Sequence, residues 1–238
     1  MPVYLLDKEL AFPPPEDANE EGIVAVGGDL RPERLLLAYR QGIFPWPARG
    51  YPLLWFSPDP RFALEPSRAH VSRSLRKAIR RTELRVTADR AFARVITACA
   101  AVPRPHQRGT WITQELREGY LGLHELGYAH SIEAWRGDAL VGGLYGVALG
   151  TAFSGESMFA SEPDASKVAF TTLLGHLVDW GFGIVDCQVH TEHLARFGAT
   201  MWPRDRFLAA WRAAVGEPGP LAPWELHMPP SEALRRLC

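Results

Sequence analysis

Apolar positions along this chain recur with either a helical or an alternating period, and the switches between the two mark out its elements. Val71, Leu75 and Ile79 share one face of a helix predicted over 67–81, with Arg73, Arg76, Lys77 and Arg80 on the others. Further helices are predicted from Asp89 to Cys99, Thr113 to Gly127, Ala165 to Trp180 and around Phe207 to Val215. Strand patterns occupy Leu84 to Thr87, Ser131 to Trp135, Ala139 to Tyr145, Gly150 to Met158 and Gly183 to Val189. The turn Arg136-Gly137-Asp138 joins two of them as a hairpin.

Residues 13–60 follow another rule, being dense in Pro, Gly and aromatic side chains. One helix interrupts them, with Asp29 as its expected cap, Pro32 in its first turn and Gly42 at its close. The reading is a small N-terminal α+β domain over 1–62 and a larger domain over 63–238. In the larger one, the order helix, helix, antiparallel strands, helix, strand is that of an acetyltransferase-like (GNAT) mixed sheet, an α/β (α+β) fold.

The chain has 238 residues, 47% hydrophobic and 22% charged, enough to bury a sizeable core. A formal net charge of -1 excludes globally basic character but leaves room for a local basic patch. Asp7, Lys8 and Glu9 interrupt the apolar start, unlike a secretory or transit signal. The longest uncharged stretch, 139–155, is broken by glycines and is too short to span a bilayer, which needs about 20 apolar residues. A cytoplasmic, monomeric protein is expected. Cys99, Cys187 and Cys238 are too scattered for a disulfide framework or a CxxC metal site.

Gly155-Glu156-Ser157-Met158-Phe159 and Asp186-Cys187-Gln188 put an acid in an apolar run, where an ionised group needs either a partner or a task. Period-two geometry sends Glu156 and Met158 to one face of their strand, and Asp186 and Gln188 to one face of theirs. Cys187 then points the other way, as a core residue rather than a nucleophile. His190 and His193 have a spacing compatible with a metal, but no further ligand set accompanies them, so no metal is expected.

These segments, together with Val26-Gly27-Gly28-Asp29-Leu30, Tyr39-Arg40-Gln41-Gly42-Ile43-Phe44-Pro45-Trp46, Trp55-Phe56-Ser57-Pro58-Asp59-Pro60-Arg61, Thr110-Trp111-Ile112 and Ala165-Ser166-Lys167, resemble the leucyl/phenylalanyl-tRNA–protein transferase family. The resemblance implies transfer of Leu or Phe, and also Met, from aminoacyl-tRNA to proteins beginning with Arg or Lys, marking them for degradation. No cofactor, DNA or membrane partner is implied. By resemblance, Asp186, Gln188 and Glu156 are catalytic, and Trp46, Trp111, Tyr120, Leu144, Phe153, Ser154 and Met158 bind substrate. Arg73, Arg76, Lys77, Arg80 and Arg81 would contact tRNA phosphates, although a solvated helix face is the plain alternative. Phe56, Ala160, Ser161, Asp164 and Arg196 depart from residues common in the family; the first is conservative and the others shift charge around the entrance.

The chemistry requires a neutral attacking α-amine, and an α-amino pKa of about 7.7–8 leaves a useful fraction deprotonated at pH 7. A nearby carboxylate, acting directly or through Gln188, can receive its proton. A coenzyme A-dependent acyltransferase would carry a glycine-rich loop after the Glu156 strand, whereas Ser161-Glu162-Pro163-Asp164-Ala165-Ser166 offers no glycine to cradle a pyrophosphate. A non-catalytic RNA-binding module would leave Glu156, Asp186 and Gln188 without purpose.

Overall fold

The computed structural model describes residues 3–47, 50–102 and 110–237; Cys238 lies outside them. A four-stranded sheet holds β1 (Tyr4–Leu6), β2 (Ile23–Gly27), β3 (Phe44–Pro45) and β4 (Leu54–Phe56) in the order β1-β2-β4-β3. Helix α1 (Pro32–Arg40) leads from β2 to β3. The second sheet is seven-stranded, in the order β11-β5-β10-β9-β8-β7-β6. Its strands are β5 (Arg61–Leu64), β6 (Arg85–Ala88), β7 (Ala129–Arg136), β8 (Ala139–Leu149), β9 (Ala152–Ala160), β10 (Ile184–Gln188) and β11 (Thr200–Trp202). Helices α2 (Arg73–Arg80), α3 (Phe92–Ala101), α4 (Gln114–Glu125), α5 (Ala165–Asp179), α6 (Glu192–Ala195), α7 (Arg204–Gly216) and α8 (Pro230–Ala233) complete it. The result is a mixed α/β protein. Among the described residues no helix is long and apolar enough to cross a membrane.

In the larger sheet only β9 and β10 run parallel, because the crossover between them passes through α5. That helix is apolar on nearly every side and, Lys167 apart, is buried from Ala165 to Leu177, with the sheet on one flank and α8 on the other. Phe62, Leu75, Ile79, Leu144, Phe153, Phe170 and Trp224 form the core on the α5 face. On the opposite face, Leu35, Tyr39, Trp55, Phe92, Leu116, Tyr120 and Tyr145 form a core that the small sheet shares. Contact there is close: a Cβ on Gly119 of α4 would lie 2.3 Å from the Leu30 carbonyl oxygen.

Local chemistry moves several expected boundaries. Ser72 Oγ accepts from Leu75 N and starts α2 late, while Pro66–Arg68 forms a separate 3-10 turn, so the expected 67–81 helix is shortened. Asp29 does not cap α1. Its carboxylate accepts from Arg31 N and pairs with Arg31 and Arg34, and Pro32 opens the helix after Arg31. Thr113 does cap α4, accepting from Leu116 N. Strands β1, β2, β5 and β11, short and set among prolines and glycines, have no counterpart in the periodicity reading.

Candidate active site

Strands β9 and β10 pair through Ala152↔Ile184, Phe153↔Val185 and Ser154↔Asp186, and then diverge. Strand β9 runs on to Ala160 while β10 stops at Gln188, which opens a wedge in the sheet. A cavity of about 790 Å³ occupies it. Phe44, Trp46 and Trp111 stand along one side, and Leu144, Phe153, Met158 and Phe170 along the other. Glu156, Asp186 and Gln188 lie between them.

Each acid sits at a break in strand register. Gly155 faces Gly146 and Ser157 faces Tyr145, which leaves Glu156 as an extra residue in β9. A Cβ at Gly146 would lie 2.2 Å from Ser154 O and 2.4 Å from the Phe153 ring, so the bulge requires glycine opposite it. The extra residue reverses the alternation. Glu156 turns toward Tyr120 in one core while Met158 packs with Phe153 in the other, so the expectation that they share a face is incorrect. In β10, Asp186 faces Ala63 and Gln188 faces Phe62, and Cys187 is the extra residue. Gln188 has φ 63, in the left-handed region that a side chain adopts only when its surroundings compel it.

Hydrogen bonds then draw the polar groups together. Glu156 Oε1 accepts from Gln188 Nε2 at 2.8 Å and from Ser154 Oγ at 2.9 Å. Its Oε2 accepts from Tyr120 OH at 2.7 Å, and that hydroxyl meets Tyr39 OH at 2.5 Å. Burial pushes the Glu156 carboxyl above the usual range, although the bonds from Tyr120, Tyr39, Ser154 and Gln188 pull the other way. Burial and the adjacent Glu156 charge also hold both tyrosines well above their ordinary pKa. Asp186 is gripped by Arg61, with Nε donating to Oδ1 at 2.8 Å and Nη2 to Oδ2 at 2.6 Å. Cys187 is buried within the core on the α5 face, and burial pushes its thiol pKa up.

Comparison with known proteins identifies the family. A family model described as leucyl/phenylalanyl-tRNA protein transferase matches residues 63–212, and one for that family's N-terminal domain matches residues 28–59. The chain is 61% identical over 226 residues to a leucyl/phenylalanyl-tRNA--protein transferase of Myxococcus xanthus, covering 94% of this chain and 97% of the relative. It is 57% identical to the protein of that name from Anaeromyxobacter dehalogenans, covering 97% of this chain and 100% of the relative. The chain belongs to the leucyl/phenylalanyl-tRNA protein transferase family. It is accordingly an enzyme.

Within this transferase the residues expected at the site divide by position. Trp46, Trp111, Leu144, Phe153 and Met158 line the cavity, as do Glu156, Asp186 and Gln188. Tyr120 and Ser154 do not line it. Both are fully buried and act on Glu156 from behind, because the bulge turns its carboxylate toward the core. Arg73, Arg76, Lys77, Arg80 and Arg81 line a separate surface groove, where Arg76 Nε also donates to Val71 O. His190 packs on Phe62 and His193 on Phe197. Arg61, Tyr39, Phe44 and Phe170 were not anticipated. For Arg61 the signal was present: a lone cation opening the apolar run Arg61-Phe62-Ala63-Leu64.

Proposed function

We propose that the chain moves leucine, phenylalanine or methionine from aminoacyl-tRNA to the α-amine of proteins beginning with Arg or Lys, marking them for degradation in the cytoplasm. The observation that carries this reading is the wedge between β9 and β10. It has an aromatic side suited to a stacked terminal adenosine, an apolar side suited to the amino-acid side chain, and Glu156 and Gln188 between them. The splayed parallel pair also supports an acetyltransferase-like assignment for the larger sheet. The basic groove on α2 suits the phosphates of the tRNA body.

The reaction is aminolysis of an ester. The acceptor nitrogen forms a bond to the aminoacyl carbonyl carbon, the ester C–O bond to the ribose breaks, and the departing ribose oxygen takes the proton that the amine gives up. Because Gln188 donates Nε2 to Glu156, its carbonyl oxygen is left to accept an N–H from the reacting amine. Positioning and fixed dipoles supply the acceleration, and no covalent enzyme intermediate is required.

Coenzyme A is disfavoured as donor. Glu162 and Asp164 stand at the cavity edge before α5, where a pyrophosphate would need glycine amides and positive charge. Incubating the protein with an Arg-initiated peptide and either radiolabelled leucyl-tRNA or labelled acetyl coenzyme A tests the reading. Label passing to the peptide from leucyl-tRNA alone is expected; acetyl transfer would overturn it.

A further inference from the structure

Resting on the transfer reaction proposed above, we infer that Trp224 is a positioning residue for donor choice, a buttress outside the cavity that fixes the Phe153 ring and so sets how large a side chain the apolar wall accepts. Trp224 is 2% exposed and does not line the cavity, whereas Phe153 does. Their ring centroids lie 5.9 Å apart with the planes at 35°, within the range of a packed aromatic pair. The Phe153 ring also packs on Gly146, where a Cβ would come within 2.4 Å of it. A glycine of β8 and an indole therefore fix where this ring stands.

A buttress must itself be fixed. Trp224 lies in the segment between α7 and α8, beyond the residues 63–212 that the family model matches, and belongs to no helix or strand. Its backbone N donates to Asp89 Oδ2 at 2.8 Å, and its ring stacks on His130 with centroids 3.8 Å apart and planes at 4°. His130 Nδ1 donates to that same carboxylate oxygen at 2.8 Å, while Asp89 Oδ1 accepts from Ser131 N at 3.0 Å. One carboxylate thus holds both members of the stack. The rings of Trp180 and Phe182 pack against the indole as well, at 5.0 Å and 5.9 Å. Further along the segment, His176 Nε2 of α5 accepts from both His227 N and Met228 N at 3.1 Å. The indole cannot yield without undoing these contacts, so the Phe153 ring has nowhere to retreat when a donor side chain presses on it. Removing the indole leaves that space open.

Trp224→Ala should let the Phe153 ring tip away from the cavity and admit larger side chains. The readout is the ratio of phenylalanine to leucine transferred when the two charged tRNAs compete in one reaction for an Arg-initiated peptide, because any loss of folded enzyme cancels from a ratio. It should rise by about tenfold over wild type, the scale on which an apolar pocket discriminates small differences in volume. Phe153→Leu should raise it too, and the double variant should fall short of the product of the two shifts, since Trp224 acts through Phe153. A ratio that stays or falls in Trp224→Ala would overturn the inference, as would a double variant that reaches the full product. Should Trp224→Ala fail to fold, Trp224→Leu decides by the same ratio. A wild type that transfers neither amino acid would instead overturn the proposed function.

Discussion

Tyr120 donates its hydroxyl to Glu156 Oε2 across 2.7 Å from the side of the core, with no exposure of its own. Tyr39 of α1 extends that contact by another hydrogen bond, so α1 and α4 together set the carboxylate that orients Gln188. A residue outside the cavity thus controls a group inside it.

Tyr120→Phe tests this through pH. Burial already raises the Glu156 pKa and the tyrosine bond lowers it, so removing the bond raises it further. With the ionised carboxylate accepting from Gln188 as the form proposed to be active, activity is lost as pH falls through its pKa. The acidic limb of the transfer rate should therefore move to higher pH in the variant. A pH–rate profile checks the shift.

Gly146→Ala should be strongly destabilising, since its Cβ would meet the Ser154 carbonyl oxygen at 2.2 Å and neither backbone can yield without undoing the bulge. A loss of about 1–3 kcal/mol or more in urea unfolding is expected, with transfer reduced in the fraction that remains folded.

Donor choice should follow the shape of the apolar wall. Leu144, Phe153 and Met158 suit side chains unbranched at Cβ, so Leu, Phe and Met should be used ahead of Ile and Val. A misplaced methyl group is worth about 1–3 kcal/mol, so the preference is graded. Competition among the charged tRNAs for one Arg-initiated peptide measures it, and Met158→Ala should change the ranking.

The α2 groove should contribute affinity without sequence preference. Lys77, Arg80 and Arg81 are exposed and can be replaced by Ala without disturbing the bond from Arg76 to Val71. Binding to every charged tRNA should weaken alike, and the slope of log affinity against log salt should flatten by roughly 0.7–0.9 for each phosphate that is no longer neutralised. Filter binding across a salt series reads both.

Periodicity was enough to find α3, α4, α5 and α7 and the β7–β8 hairpin, because their apolar faces are long. It was not enough for β5 or β11, whose few residues show no period of their own and exist only by pairing with each other and with β10. At the site, an acid in an apolar strand pointed to Glu156 and Asp186, and the fold places both at the cavity. Alternation then failed at Glu156, because a bulge is decided by the facing strand, here by Gly146, and not by the strand that carries it. The Arg61 partner of Asp186 lies far away in the chain, and only the pairing of β5 with β10 brings them together.

The central claim is that Gln188, oriented by Glu156 within the wedge, handles the amine during transfer. Single-turnover transfer of leucine from saturating leucyl-tRNA to an Arg-initiated peptide, comparing wild type with Gln188→Ala, tests it most directly. The rate should fall by about 100-fold, as for loss of a positioned group in general acid–base catalysis, with leucyl-tRNA affinity unchanged. A variant that transfers at the wild-type rate would contradict the account.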